Sequence, residues 1–136
     1  MLQRNKLAKT QELFGGIMTD LTRKEVIQIL AITHQARLAG VDLSGLDLSG
    51  LNFAGADLIR ANLSKANLTN AYMRNAQLED ADLTGAIIVN TNLKGANLKG
   101  CNLKGANMSG AKLTDTNLFG VELDALQRKQ SVGLSG

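Results

Sequence analysis

Residues 54–71 read AGADLIRANLSKANLTNA, and residues 94–111 read KGANLKGCNLKGANMSGA. In both, a large apolar side chain returns at every fifth position. With Val41 taken as the first slot, 17 consecutive pentapeptides run without insertion to Ala125. The third slot is large and apolar throughout, from Leu43 to Leu123, with Phe53, Met73, Ile88 and Met108 in place of Leu. The first slot is Ala ten times, with Thr91, Cys101 and Thr116 among the rest and the larger Val41, Leu46 and Leu51 at the start. The second slot is Asn eight times and Asp four times, and the fifth is Gly nine times.

A period of five fits neither regular element. In an α-helix five residues rotate the chain about 140° from its starting face, and in a flat strand an odd period throws Leu to alternate faces. First and third slots lie two apart, so they share one side of a short extended piece. The chain then has to turn between the fourth slot and the next first slot, where Gly and Asn tolerate positive φ. One turn per pentapeptide winds the chain into a coil, with first and third slots inside, the other slots outside, and backbone hydrogen bonds between coils. Proline would delete an inter-coil donor, and the chain has none.

The tandem pattern of Ala, Asp or Asn, Leu and two variable residues resembles the pentapeptide-repeat proteins over residues 41–125. The resemblance implies an all-β solenoid, a right-handed quadrilateral parallel β-helix with four pentapeptides per coil and about four coils. At about 4.8 Å per coil the column would stand roughly 20 Å tall. A solenoid has to hide its terminal apolar faces. Residues 1–40 are therefore expected to supply an N-terminal segment and an α-helical cap, and residues 126–136 a C-terminal cap and a frayed tail. Thr22 to Glu25 has capping-box spacing, which predicts a helix over 23–39 stopped by Gly40. Its apolar residues occupy more than one face, so one side would cover the first coil. The other would meet Leu7, Leu13, Phe14 and Ile17 folding back, or a second subunit.

The chain has 136 residues with 15 Lys plus Arg and 12 Asp plus Glu, a formal net charge of +3, which suits one domain. No Trp, one Tyr, three Phe, one His and one Cys leave little material for an aromatic cage, a multi-histidine metal site or a disulfide framework. No cofactor or metal is expected, and the chain is expected not to be an enzyme. Residues 1–16 break every apolar pair with polar side chains, unlike a signal peptide, and no apolar run approaches the roughly 20 residues of a membrane span. A single Cys fits a reducing interior, so the expected location is cytoplasmic.

If residues twenty apart stack, four outer walls follow. Wall one is mildly acidic through Asp42, Asp82, Glu122 and Asp124. Wall two shows Ile87 and Val89 side by side among Asn, Thr and Ser, with Ile87 in a slot normally held by Asn or Asp. Wall three stacks Tyr72, Arg74, Lys94 and Lys112, an aromatic beside three cations. Wall four carries Ile59 and Phe119 with charged neighbours. Ile87, Val89 and Phe119 are the candidate protein contacts, and Tyr72, Arg74, Lys94 and Lys112 the candidate anion surface.

Groups able to do chemistry are isolated. His34 has no second ligand at metal spacing, and Cys101 takes an inward slot where a thiol is inert. Asp42, Asp47, Asp57 and Asp82 share their slot with eight Asn, which selects backbone bonding over proton transfer. The expected function is a non-enzymatic scaffold that binds a protein partner, with a homodimer through an end or wall as one form. The resemblance also implies an alternative, since some family members protect DNA gyrase by imitating duplex DNA. Residues 41–125 hold seven bases and nine acids, a net of −2 (7 − 9), whereas a DNA-like column of that height calls for on the order of ten charges or more. Weak anion or nucleic-acid binding through the basic ends is the remaining alternative.

Overall fold

A computed structural model of the protein describes residues 21–33 and 35–134. Its backbone pairs in parallel at a spacing of twenty residues. Asp42 pairs with Asn62, Asn62 with Asp82 and Asp82 with Asn102, and parallel series start from Arg37, Asp47 and Asn52. Four pentapeptides thus separate paired positions, and the molecule is a solenoid. Each rung uses the same bonds. Leu43 N–H donates to Asn62 O at 2.7 Å, Asn62 N–H donates to Val41 O at 2.9 Å, and Gly45 N–H donates to Ser64 O at 2.9 Å.

The turns explain the fifth slot. Ala56 N–H donates back to Phe53 O at 2.9 Å, closing a four-residue turn whose third residue is Gly55. From Gly40 to Gly120 every fifth-slot residue has φ between 54° and 75°, the seven non-glycines Arg60, Lys65, Asn70, Asn75, Asp80, Asn90 and Asp115 included. That conformation marks a type II turn. The second slot supplies a further local bond, since all twelve Asn and Asp side chains there accept from the fourth-slot N–H two residues on.

The core runs along the axis. Every third-slot residue from Leu43 to Leu113 is buried, as are the first-slot alanines from Ala56 to Ala111. Burial stabilises by about 1.5–3 kcal/mol for each such large side chain, so the column of third slots is the main favourable contribution. Thr91 and Thr116, which replace Ala, donate their hydroxyls to Leu68 O at 2.7 Å and Leu93 O at 2.8 Å.

Helix α1 spans Arg23–Ile32 and opens with the expected capping box of Thr22 and Glu25. Val26 and Ile29 are buried on the core. The helix is shorter than the expected 23–39. Asp57 N–H donates to Ala36 O, Leu38 N–H to Asp57 O and Gly40 N–H to Ile59 O, so 36–40 is drawn into the ladder as a further pentapeptide. Inter-coil bonding overrides helix propensity there. The expected cover by Leu7, Leu13, Phe14 and Ile17 lies outside the described residues.

The other end also differs. Residues 121–124 leave the ladder and lead into helix α2, Ala125–Gln130, because Asp124 caps it by accepting from Gln127 N–H. Val132 pairs with Lys112, so 131–132 continue the solenoid where a frayed tail is expected. Buried Gln127 closes the apolar end by donating Nε2–H to Leu103 O at 2.7 Å and Ala106 O at 3.1 Å.

Candidate interaction surface

The twenty-residue register decides which outer side chains are neighbours. On wall three, Tyr72 pairs with Asn52 and Asn92, and Lys112 with Asn92 and Val132. Gly55 N–H donates to Arg74 O and Asn75 N–H to Lys94 O, which puts both cations on that wall. All four side chains are exposed, Tyr72 by 57%. Among the described residues, none of Arg74, Lys94 and Lys112 pairs with a carboxylate, whereas Arg23 pairs with Asp47 at 3.5 Å and Lys99 with Glu79 at 3.3 Å. Wall three is therefore a basic face.

On wall two Ile87 pairs with Asn67 and Asn107 and is 40% exposed, and Val89 beside it is half-buried. Ile87 cannot accept a bond from Val89 N–H, so the rung gives up the local bond its neighbours make. The other outer residues of that wall's pentapeptides are Ser, Thr, Asn and Gly apart from Asp47. Phe119 sits on wall four, 75% exposed. The candidate residues therefore do not converge. They fall on three walls, one basic, one charged only at its first coil and one mixed.

The chemically competent groups have structural partners. Cys101 is buried and its thiol donates to Leu78 O at 2.7 Å; burial pushes it up to about 12, so it stays neutral and unreactive at physiological pH. The Ser44 hydroxyl and N–H hold Asp42 below the usual carboxylate value, and those of Ser49, with a smaller effect of Arg23, do the same for Asp47. Both carboxylates are thus engaged as turn acceptors. Among the described residues no three His, Cys, Asp or Glu side chains gather at metal-binding distance. No described helix is long and apolar enough to cross a membrane. His34 lies outside the described residues.

A groove escapes sequence reasoning. It lies between α1 and the first-coil edge of wall three, lined by Ile27, Leu30 and Ala31 on one side and Leu51 and Phe53 on the other. The large first-slot Leu51, which lines it, was its one signal.

Comparison with known proteins follows the repeat. The family model described as pentapeptide repeats (8 copies) matches residues 36–75 and again 76–115, starting at the pentapeptide that the ladder adds. The pentapeptide repeat protein alr5209 from Nostoc Pcc 7120 is 31% identical, over 71% of this chain and 80% of that one, with a TM-score of 0.64. Rfr23 from the cyanobacterium Cyanothece 51142 is 36% identical over 68% of this chain, with a TM-score of 0.43; this chain spans 64% of its length. HetL, a protein involved in heterocyst differentiation regulation in Nostoc sp. strain PCC 7120, is 26% identical over 73% of this chain and 54% of its own, with a TM-score of 0.37. No curated protein matches the chain.

Proposed function

The chain belongs to the pentapeptide-repeat family, and from that premise we propose that it is a non-enzymatic scaffold, a small module whose walls or ends bind another protein. Proteins of this family are in general scaffolds without catalytic activity. The solenoid is read as a right-handed, four-sided β-helix of about four coils with α1 as its cap, working in the cytoplasm.

Ile87 is the observation that carries the proposal. All twelve Asn and Asp side chains of the second slot bond the backbone two residues on, and Ile87 forgoes that bond to present an apolar surface beside Val89. The outer residues stacked directly on Ile87 and Val89 are Asn67, Thr69, Asn107 and Ser109, all uncharged, with Asp47 two coils away on the same wall. Depletion of charge around an apolar centre is the compositional mark of an interface core.

The experiment compares the full chain with Ile87→Asn, a change that suits the slot. Affinity capture from the native host should retain a protein on the wild type that Ile87→Asn fails to retain. Light scattering of both proteins identifies a second copy as that partner, if only the wild type shows a doubled mass. Identical captured proteins and identical masses for the two would defeat the reading.

A further inference from the structure

The first coil has no coil before it, and the two adjacent walls treat that edge differently. On wall two, Arg23 replaces the missing rung: Nη1 donates to Asp47 O at 2.8 Å and Nη2 to Ser49 O at 3.0 Å. In later coils the equivalent carbonyls accept N–H groups of the coil before. On wall three the equivalent carbonyls, Asn52 O and Ala54 O, accept from no described residue, and Asn52 N–H donates to none. The groove of 510 Å³ under α1 opens over them, with Ile27, Leu30, Leu51 and Phe53 in its lining. A second depression shares Ala54 with it and reaches Ile59 and Arg74. An unpaired edge beside apolar side chains is what an extended peptide needs to join a sheet, its main chain giving affinity and its alternate side chains selectivity.

We propose that this groove binds an extended peptide of a partner protein, added in parallel over Asn52–Ala54, with apolar residues at alternate positions and acidic residues between them. The amides of the apolar residues donate to Asn52 O and Ala54 O, and their side chains enter the groove. Alternation turns the acidic residues outward, onto the wall where Arg74, one coil beyond Ala54, is the first cation and Lys94 follows one coil further; neither pairs with a carboxylate among the described residues. That charge selects the occupant. Residues 1–20 of this chain hold three bases and two acids, and a second copy brings the same basic wall, so neither complements it. The inference rests on the scaffold reading and names the chemistry of its partner.

The probe is a fluorescein-labelled octapeptide alternating Val and Glu, titrated with the full chain by anisotropy, with a Val and Lys octapeptide as control. The Glu peptide should bind at least tenfold more tightly. N-methylation of the Val amides should weaken it at least tenfold while N-methylation of the Glu amides is tolerated, and Arg74→Glu should abolish the preference for Glu. Absence of binding, equal binding of the two peptides or indifference to which amides are methylated would overturn the proposal. Binding that appears only after residues 1–20 are removed would overturn it in favour of the chain's own beginning. None of these outcomes moves the Ile87→Asn comparison, so the groove and the scaffold reading fail separately.

Discussion

At Ile87 a local hydrogen bond is exchanged for an exposed apolar side chain, and the exchange is measurable. Ile87→Asn restores an acceptor for Val89 N–H, as Asn67 does for Thr69 N–H at 3.0 Å. A net gain of about 1 kcal/mol is expected, seen as a raised denaturation midpoint. A residue that lowers stability where a better one is available is more readily explained by binding than by folding. Asp47 makes the opposite case, a carboxylate explained by folding. Its pKa is lowered, first by the Ser49 hydroxyl and then by the Ser49 N–H. The sign follows: this contribution is present above the unfolded value near pH 4 and lost as pH falls through the lower folded value. Ser49→Ala should move the Asp47 titration up towards the ordinary carboxylate value, and carboxyl carbon chemical shifts followed against pH would show it.

At the scale of elements, α1 and α2 each act through a single side chain that stands in for a missing coil. Arg23 of α1 donates to two first-coil carbonyls, and Gln127 of α2 donates to Leu103 O and Ala106 O. Gln127→Glu keeps the shape and removes the donor, leaving a buried carboxylate against two carbonyls. We expect a loss of about 2–4 kcal/mol at neutral pH. Burial raises the new carboxyl's folded pKa, so the variant should recover stability as pH falls towards 4 and lose it as pH rises. Thermal melts at pH 4.5 and 7.5 check this; equal losses at both values would mean that Gln127 acts by packing alone. The elements were partly legible. Thr22 and Glu25 announced where α1 starts, because a capping box is local. Its end was not legible, because Ala36 and Leu38 leave the helix for bonds to Asp57, whose position depends on a coil formed twenty residues later.

At the scale of the whole molecule, each coil bonds only to its neighbours, so stability adds along one dimension. Excising residues 66–85 removes one full period and rejoins Lys65 to Ala86, with every slot still in phase. That shortened chain should fold cooperatively with a lower midpoint and similar circular dichroism per residue. Excising 66–83 instead, which puts polar residues into the axial slots, should not give a folded chain. Charge belongs to this scale as well. A column of net −2 is a poor imitation of duplex DNA. In a gyrase supercoiling assay with a quinolone, excess protein should give no protection, and dose-dependent protection would reinstate DNA imitation.

Much was settled by sequence alone: which residues face inward, where each turn falls, and why Asn and Asp share a slot. A strict five-residue period imposes the same local geometry on every repeat, and local geometry needs no distant contact. The inertness of Cys101 follows from the same inward slot. What only the tertiary structure decided lies at the two ends. The solenoid starts at Ala36, the tail rejoins the ladder at Val132, and no described residue pairs with the edge at Asn52 and Ala54 beside an apolar groove. At an end the period no longer supplies a neighbour, so each carbonyl takes whatever partner the folded chain brings within reach.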